Sequence, residues 1–148
     1  MKISVGSDHA GFEQKQQIVE YLQSQGHEVI DRGPDSAERV DYPDYAIKVA
    51  MDVSFKRAER GILICGTGIG MSIFANKIVR IRAASITSPE FAELSRAHND
   101  LNVLCLSGRF VDIDTNKQII DKFLTTEFEG GRHAARLQKL LPIERTDA

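Results

Sequence analysis

RGILICGTGIGMSIFAN, residues 60–76, is the stretch on which the interpretation of the whole sequence depends. It begins with Ile62-Leu63-Ile64, a short apolar run typical of a fully buried strand. The strand ends at Cys65, and the alternating glycines of residues 66–70 allow backbone N–H groups to turn towards a ligand. Residues 71–77 can continue as a helix whose positive end faces the same point. The stretch therefore predicts an anion-binding loop beside a cysteine.

Three known phosphate-binding loops fit this stretch poorly. A Walker loop requires Lys and then Ser or Thr after its last glycine, where this chain has Met71 and Ser72. The dinucleotide fingerprint requires two residues between its last glycines, and one residue separates each pair here, so that match is weak. A cysteine phosphatase loop would need an arginine at the position of Met71. The sequence thus argues against nucleotide binding and phosphatase chemistry.

Length and composition indicate one domain, residues 1–148, that needs no disulfide or metal to form its core. Lys and Arg number 19 against 21 Asp and Glu, so no net field exists to attract nucleic acid or an anionic membrane. Cys65 and Cys105 are the only cysteines, as in a reduced cytosolic protein. No apolar run approaches the ~20 residues of a membrane span. We expect a soluble cytoplasmic protein without membrane or nucleic-acid partners.

Strand-like and helix-like patterns alternate along the whole chain. The strands are predicted at residues 3–6, 27–31, 62–64, 82–86 and 103–106, and the helices at 12–25, 42–53, 71–77, 88–98, 113–124 and 132–140. Five strands alternating with helices favour an α/β fold with a five-stranded parallel sheet and helices on both faces. The predicted fold class is a single-domain, three-layer, Rossmann-like fold.

Polar side chains directly follow three of the predicted strands. Asp8 and His9 follow the first strand, Cys65 and its glycine loop follow the third, and Arg109 follows the fifth. In parallel sheets, ligands bind beyond the carboxyl ends of the strands. His98 instead precedes a strand and belongs to the opposite edge. We therefore expect His98 to serve Cys65 only across an interface between subunits.

Each candidate cysteine and histidine also has an ordinary structural interpretation. Strand-end cysteines are usually core residues, but a glycine loop and a helix start favour a thiolate at Cys65. Cys105 has no such neighbours and is predicted to be core. His9 and His98 are equally compatible with a solvated surface position.

The remaining charged candidates are weaker. His27 and His133 are interpreted as surface residues. Arg132 and Arg136 are spaced i, i+4 and can both face one phosphate, although such pairs usually form a solvated face. Four histidines and two cysteines without tight spacing make a metal site improbable.

Five separated blocks of the chain resemble one enzyme family. They are SDHAGF at 7–12, DYPDYA at 41–46, GILICGTGIGMS at 61–72, SRAHND at 95–100 and EGGRH at 129–133. In this order they closely resemble the ribose/galactose phosphate isomerase family over nearly the whole chain. Phe74, where a small residue is common, and Val79-Arg80, where Pro-Gly is usual, depart from the family pattern and concern helix packing rather than chemistry.

The resemblance implies interconversion of ribose 5-phosphate and ribulose 5-phosphate through a cis-enediolate, without a metal or cofactor. It implies a homodimer, possibly a tetramer, whose active sites form between subunits. In it Cys65 is the base that moves the proton between C2 and C1, His98 opens the furanose ring, and Thr67 assists proton movement between the oxygens.

The resemblance also implies a set of substrate-binding residues. They are Asp8 and Asn99 for the sugar hydroxyls, Tyr42 for the pocket wall, His9, Arg109, Arg132 and Arg136 for the phosphate, and the loop Gly66, Thr67, Gly68, Ile69 and Gly70. The loop amides would stabilise the enediolate oxygen, a role that also follows from the negative charge developing there.

Two other functions stay open. One is isomerisation of a six-carbon sugar phosphate, such as allose 6-phosphate or galactose 6-phosphate, because only pocket depth separates these substrates. The other is a regulatory module that binds a sugar phosphate without turnover. The presence of Cys65, Thr67 and His98 argues against the second.

Overall fold

Five parallel strands form one sheet in the computed structural model, which describes residues 1–146. The strands are β1 (Lys2–Ser7), β2 (Glu28–Asp31), β3 (Arg60–Cys65), β4 (Ala83–Ser85) and β5 (Val103–Ser107). The helices are α1 (Phe12–Ser24), α2 (Tyr42–Ser54), α3 (Ile69–Ala75), α4 (Pro89–Asn99), α5 (Ile113–Thr125), α6 (Arg132–Leu137) and α7 (Leu141–Thr146). The predicted parallel α/β sheet is confirmed. The last two residues of the predicted single domain lie outside the described chain.

In the strand order β2-β1-β3-β5-β4, the direction in which successive strands are added to the sheet reverses between β1 and β3. From β1 the chain passes to β2 on one side and later to β3 on the other, and the crevice at such a point is where open α/β sheets bind ligands. The register pairs Ser7 with Ile64 and Cys65 with Ser107. The carboxyl ends of β1, β3 and β5 therefore lie side by side.

Helices cover both faces of the sheet, so the strands are apolar on both sides. Ile62 and Ile64 pack in a core with α1, α4 and α5. Leu63 and Cys65 point to the other face and pack with α2 and α3. Along the described chain, no helix is both long and apolar enough to cross a membrane.

The last predicted helix is interrupted. We expected one helix as far as Leu140, but α6 ends at Leu137, a 3₁₀ turn covers Gln138–Leu140, and α7 begins at Leu141. Pro142 explains the break, because a proline has no N–H to donate and its ring clashes with the carbonyl four residues earlier, here that of Gln138.

A buried carboxylate joins three elements on the α2 side of the sheet. Asp52 of α2 is fully buried and accepts hydrogen bonds from Ser4 Oγ at 2.7 Å, Arg32 Nε at 2.6 Å and Arg57 Nε at 2.9 Å. Burial opposes the charged form, but these hydrogen bonds outweigh it and lower the pKa of Asp52 to about 2. Asp52 thereby fixes α2 to β1 and to the end of β2.

Candidate active site

Cys65 ends β3 with its sulfur enclosed and hydrogen-bonded. The residue is 5 % exposed, and its Sγ accepts the N–H of Gly68 at 3.1 Å. Gly68 has a φ of +85°, and a Cβ there would lie 2.8 Å from Ser85 Oγ, so the loop conformation needs glycine. The loop thus aims a backbone donor at the atom that would carry negative charge in a thiolate.

Cys105 is a core residue, as expected. It is fully buried in β5, and burial raises the pKa of its thiol well above the ordinary value, with Cys65 adding to the effect. Its thiol therefore stays protonated at neutral pH, which leaves Cys65 as the candidate nucleophile or base.

The loop after β1 packs against the end of β3. Asp8 is 7 % exposed, its N–H donates to Ile64 O at 3.1 Å, and its Oδ1 accepts the N–H of Gly11 at 3.1 Å. A Cβ on Gly11 would lie 2.5 Å from Ile64 O, so only glycine permits this close approach. His9 is anchored separately, with Nδ1 3.2 Å from the backbone of Val40.

Tyr42 and Arg109 flank the glycine loop. The Tyr42 ring lies 2.7 Å from the position of a Cβ on Gly70, and Arg109 Nη1 lies 3.4 Å from that of a Cβ on Gly66. Arg109 is exposed, and within residues 1–144 its guanidinium makes no salt bridge. A cationic group is thus available at the mouth of the crevice.

Thr67 is exposed at the tip of the loop. Its Oγ1 accepts the N–H of Ile69 at 3.2 Å, and its carbonyl accepts the hydroxyl of Ser85 at 3.1 Å. The Thr67 hydroxyl proton remains available for a ligand. We name Asp8, His9, Tyr42, residues 65–70 and Arg109 the cysteine cluster.

The other candidates lie where the end of α4 meets the start of α6, together with Glu129 and His133. We name this group the histidine cluster: His98, Asn99, Glu129, Arg132, His133 and Arg136. The rings of His98 and His133 stack with centroids 4.4 Å apart and planes 9° apart. Arg132 and Arg136 are exposed on α6, and neither pairs with a carboxylate among the side chains the structure describes.

The expectation that His133 is a surface residue is wrong. Its side chain is 6 % exposed, because α6 packs against α4 and places the ring on His98. Burial, with His98 and Arg132 nearby, lowers the pKa of His133. Sequence reasoning missed this residue and Glu129, although both lie in the EGGRH block, because a histidine after two glycines gives no local sign of burial.

The two clusters lie at opposite ends of the strands, the cysteine cluster at the carboxyl ends and the histidine cluster at the amino ends. Val103 at the amino end of β5 pairs with Gly61, and Ser107 at its carboxyl end pairs with Cys65. This register separates the two levels by about 13 Å along the strands. Because α4 delivers His98 to the amino end of β5, His98 cannot reach Cys65 of its own chain.

Comparisons with known proteins identify the family of this chain. A family model described as Ribose/Galactose Isomerase matches residues 3–140. The chain belongs to the ribose/galactose isomerase family. Ribose-5-phosphate isomerase B of Escherichia coli is 49 % identical over 143 residues, which cover 97 % of this chain and 96 % of that protein. The protein is thus an isomerase of this family.

Solved structures of ribose-5-phosphate isomerases B have the same fold. That from Clostridium thermocellum covers 100 % of both chains, with a TM-score of 0.98 and 49 % identity. That from Mycoplasma genitalium, determined with bound ribulose-5-phosphate, has a TM-score of 0.94 and 43 % identity and covers 97 % of this chain and 96 % of its own.

Three neighbouring side chains of the histidine cluster are of types that bind metal ions. The donor atoms of His98, Glu129 and His133 lie within 4.8 Å of one another. The two rings are nearly parallel, so their in-plane lone pairs do not converge on one point, and an ion would require one ring to turn. The observed arrangement is therefore a stacked pair rather than a preformed coordination site.

A cavity of about 540 Å³ lies between residues 76–84, α4 and the C-terminal helices. It is lined mainly by apolar side chains such as Ile81, Leu101 and Leu137, and Asn99 is the one predicted site residue among its lining. The lining contains neither Cys65 nor the candidate arginines.

Proposed function

We propose that the protein interconverts D-ribose 5-phosphate and D-ribulose 5-phosphate, with Cys65 as the base. The observation that carries the proposal is the Cys65 thiol in the crevice, with the Gly68 N–H on its sulfur and Asp8 and Arg109 beside it. The similarity to ribose-5-phosphate isomerase B of E. coli over nearly the full length of both chains supports this substrate.

The isomerisation moves one proton between adjacent carbons. The Cys65 thiolate takes the proton from C2 of the open-chain aldose, and the electron pair of that C–H bond forms the C1–C2 double bond of the enediolate. The O2 proton passes to O1 with the help of Thr67. The Cys65 thiol then returns its proton to C1, and the carbonyl forms at C2.

Negative charge on the enediolate needs donors already in place. Two loop amides are engaged, since Gly68 N–H donates to Cys65 Sγ and Ile69 N–H donates to Thr67 Oγ1. The first turn of α3 has N–H groups without intrahelical acceptors, among them that of Gly70. We assign stabilisation of the enediolate oxygen to this turn.

The closed sugar must be opened before Cys65 can act, and we assign this step to His98 of a second subunit. The separation of the two clusters along β3 and β5 supports an active site shared by two chains. In such a homodimer, the histidine cluster of one subunit completes the cysteine cluster of the other. Arg109 would then hold the phosphate together with Arg132 and Arg136 of the second chain.

A steady-state assay on ribose 5-phosphate, allose 6-phosphate and galactose 6-phosphate tests the proposal. We expect the highest kcat/KM on ribose 5-phosphate, and roughly 10²- to 10⁴-fold less turnover in Cys65→Ala with binding retained. A higher kcat/KM on a hexose phosphate would favour the six-carbon alternative. Binding of all three sugars without turnover would favour the regulatory module.

A further inference from the structure

The ring of His133 stacks on one face of the His98 ring. The two planes differ by 9° and the centroids are 4.4 Å apart, so one face of the His98 imidazole is covered. His133 is 6 % exposed, whereas the His98 side chain is 39 % exposed. The buried ring is therefore the fixed member of the pair, and the half-exposed ring is the one that can meet a ligand.

The segment before α6 is attached to the same helical turn as His98. The N–H of Glu129 donates to Ala97 O at 3.0 Å, and Arg96 Nε donates to Thr126 O at 3.3 Å. Glu129 Oε2 lies 3.7 Å from His98 Nε2. These contacts hold the start of α6 against the end of α4, and so hold the His133 ring in place.

We propose that His133 is a positioning residue, which fixes the His98 imidazole at the angle that furanose ring opening requires. This inference rests on the role proposed above for His98. Ring opening breaks the bond between C1 and the ring oxygen; the ring oxygen gains a proton, and the hydroxyl on C1 loses its proton to solvent as the C1 carbonyl forms. This proton transfer has a defined direction, and an imidazole held on one face has far fewer orientations than a free one.

The charges around the pair fit this role. The groups that face His133 are His98, Glu129, Arg132 and Arg136, and burial together with the three cationic or basic neighbours lowers the pKa of His133. A neutral His133 can stay stacked when His98 gains a proton, whereas two charged rings at this distance would repel. Glu129 provides the opposite charge at the His98 edge.

Ribulose 5-phosphate allows ring opening to be separated from proton transfer. Its C5 hydroxyl carries the phosphate, so the ketose cannot close a five-membered ring and stays open. Exchange of its C1 hydrogen with D₂O needs only the base, whereas turnover of ribose 5-phosphate also needs ring opening. We expect His133→Ala to lower kcat on ribose 5-phosphate about tenfold or more, while exchange and KM change less than about twofold.

His133→Phe tests whether the aromatic face is what matters, and we expect it to restore most of kcat. Should His133→Ala not fold, His133→Gln also removes the aromatic face. Equal loss of turnover and exchange, a change in KM alone, or no rescue by phenylalanine would each overturn the inference. His98→Ala is the reference variant. If it does not separate turnover from exchange, the proposed role of His98 fails; if it does and the His133 variants do not, only the positioning role fails.

Discussion

Cys65 is the last residue of β3 and Asp8 directly follows the neighbouring strand β1, so either could take the C2 proton. Asp8 uses one carboxylate oxygen to accept the Gly11 N–H and thereby holds the first loop in shape. Carboxylic acids have pKa values near ~4 in model peptides and thiols near ~8.5, so a thiolate is a stronger base than a carboxylate. On this comparison we propose proton transfer for Cys65 and sugar binding for Asp8.

Replacing each residue in turn tests this assignment. Cys65→Ala should abolish nearly all exchange of the C2 hydrogen of ribose 5-phosphate with D₂O, a loss of about 10²- to 10⁴-fold, while substrate binding survives. Asp8→Asn should retain exchange at saturating substrate and weaken binding. Proton NMR in D₂O measures the exchange rate in both variants. The opposite pattern, exchange kept in Cys65→Ala and lost in Asp8→Asn, would reverse the roles.

Arg132 and Arg136 are predicted to bind the phosphate, because both are exposed on α6 at i, i+4 spacing. A charge-assisted contact contributes about 1.5–3 kcal/mol. Replacing either arginine with alanine should therefore lower kcat/KM roughly ten- to a hundredfold. Lys139→Ala, an exposed cation on the following 3₁₀ turn, is the matched control and should behave as wild type. Wild-type kinetics in both arginine variants would leave the pair as a solvated face.

Helix α2 carries a buried charge, that of Asp52. The pKa of Asp52 is lowered to about 2 by its hydrogen bonds, against ~3.9 for an unfolded aspartate, so its contribution to stability is present above about pH 4 and is lost as pH falls through 2. Asp52→Asn should lower the free energy of unfolding at pH 7 by roughly 2 kcal/mol.

Urea unfolding at pH 7 and pH 3 measures this effect. The difference in stability between wild type and Asp52→Asn should be smaller at pH 3. Asp35→Asn, which changes an exposed carboxylate three residues after Arg32 in sequence, should differ little from wild type at either pH. A stability difference that does not depend on pH would show that the charge of Asp52 does not stabilise the contact of α2 with β1 and the end of β2.

The elements themselves were largely predictable, because apolar periodicity and turn residues are local signals. The bounds of the strands and of α1 to α5 agree with the predictions to within one or two residues. The strand order β2-β1-β3-β5-β4 was not predictable in this way, since it depends on pairing between distant segments. His133 was misjudged for the same reason, because its burial is due to α4 and not to its sequence neighbours.

At the scale of the whole molecule, the residues of the proposed site are divided between two regions of one chain. The order of strands and helices alone predicted this division. In a parallel sheet, strand-to-helix loops lie at the carboxyl ends of the strands and helix-to-strand loops at the amino ends. The structure agrees in placing His98 at the amino end of β5 and Cys65 at the carboxyl end of β3. The proposed activity therefore requires two copies of the chain in a symmetric dimer.

Subunit mixing tests this central claim most directly. Cys65→Ala and His98→Ala are each expected to be inactive on ribose 5-phosphate, because every site in either homodimer lacks one group. After subunit exchange at equal concentrations, each hybrid dimer should contain one intact site, so activity should recover to about a quarter of wild type. No recovery, once exchange has been verified with tagged subunits, would contradict a site shared between chains.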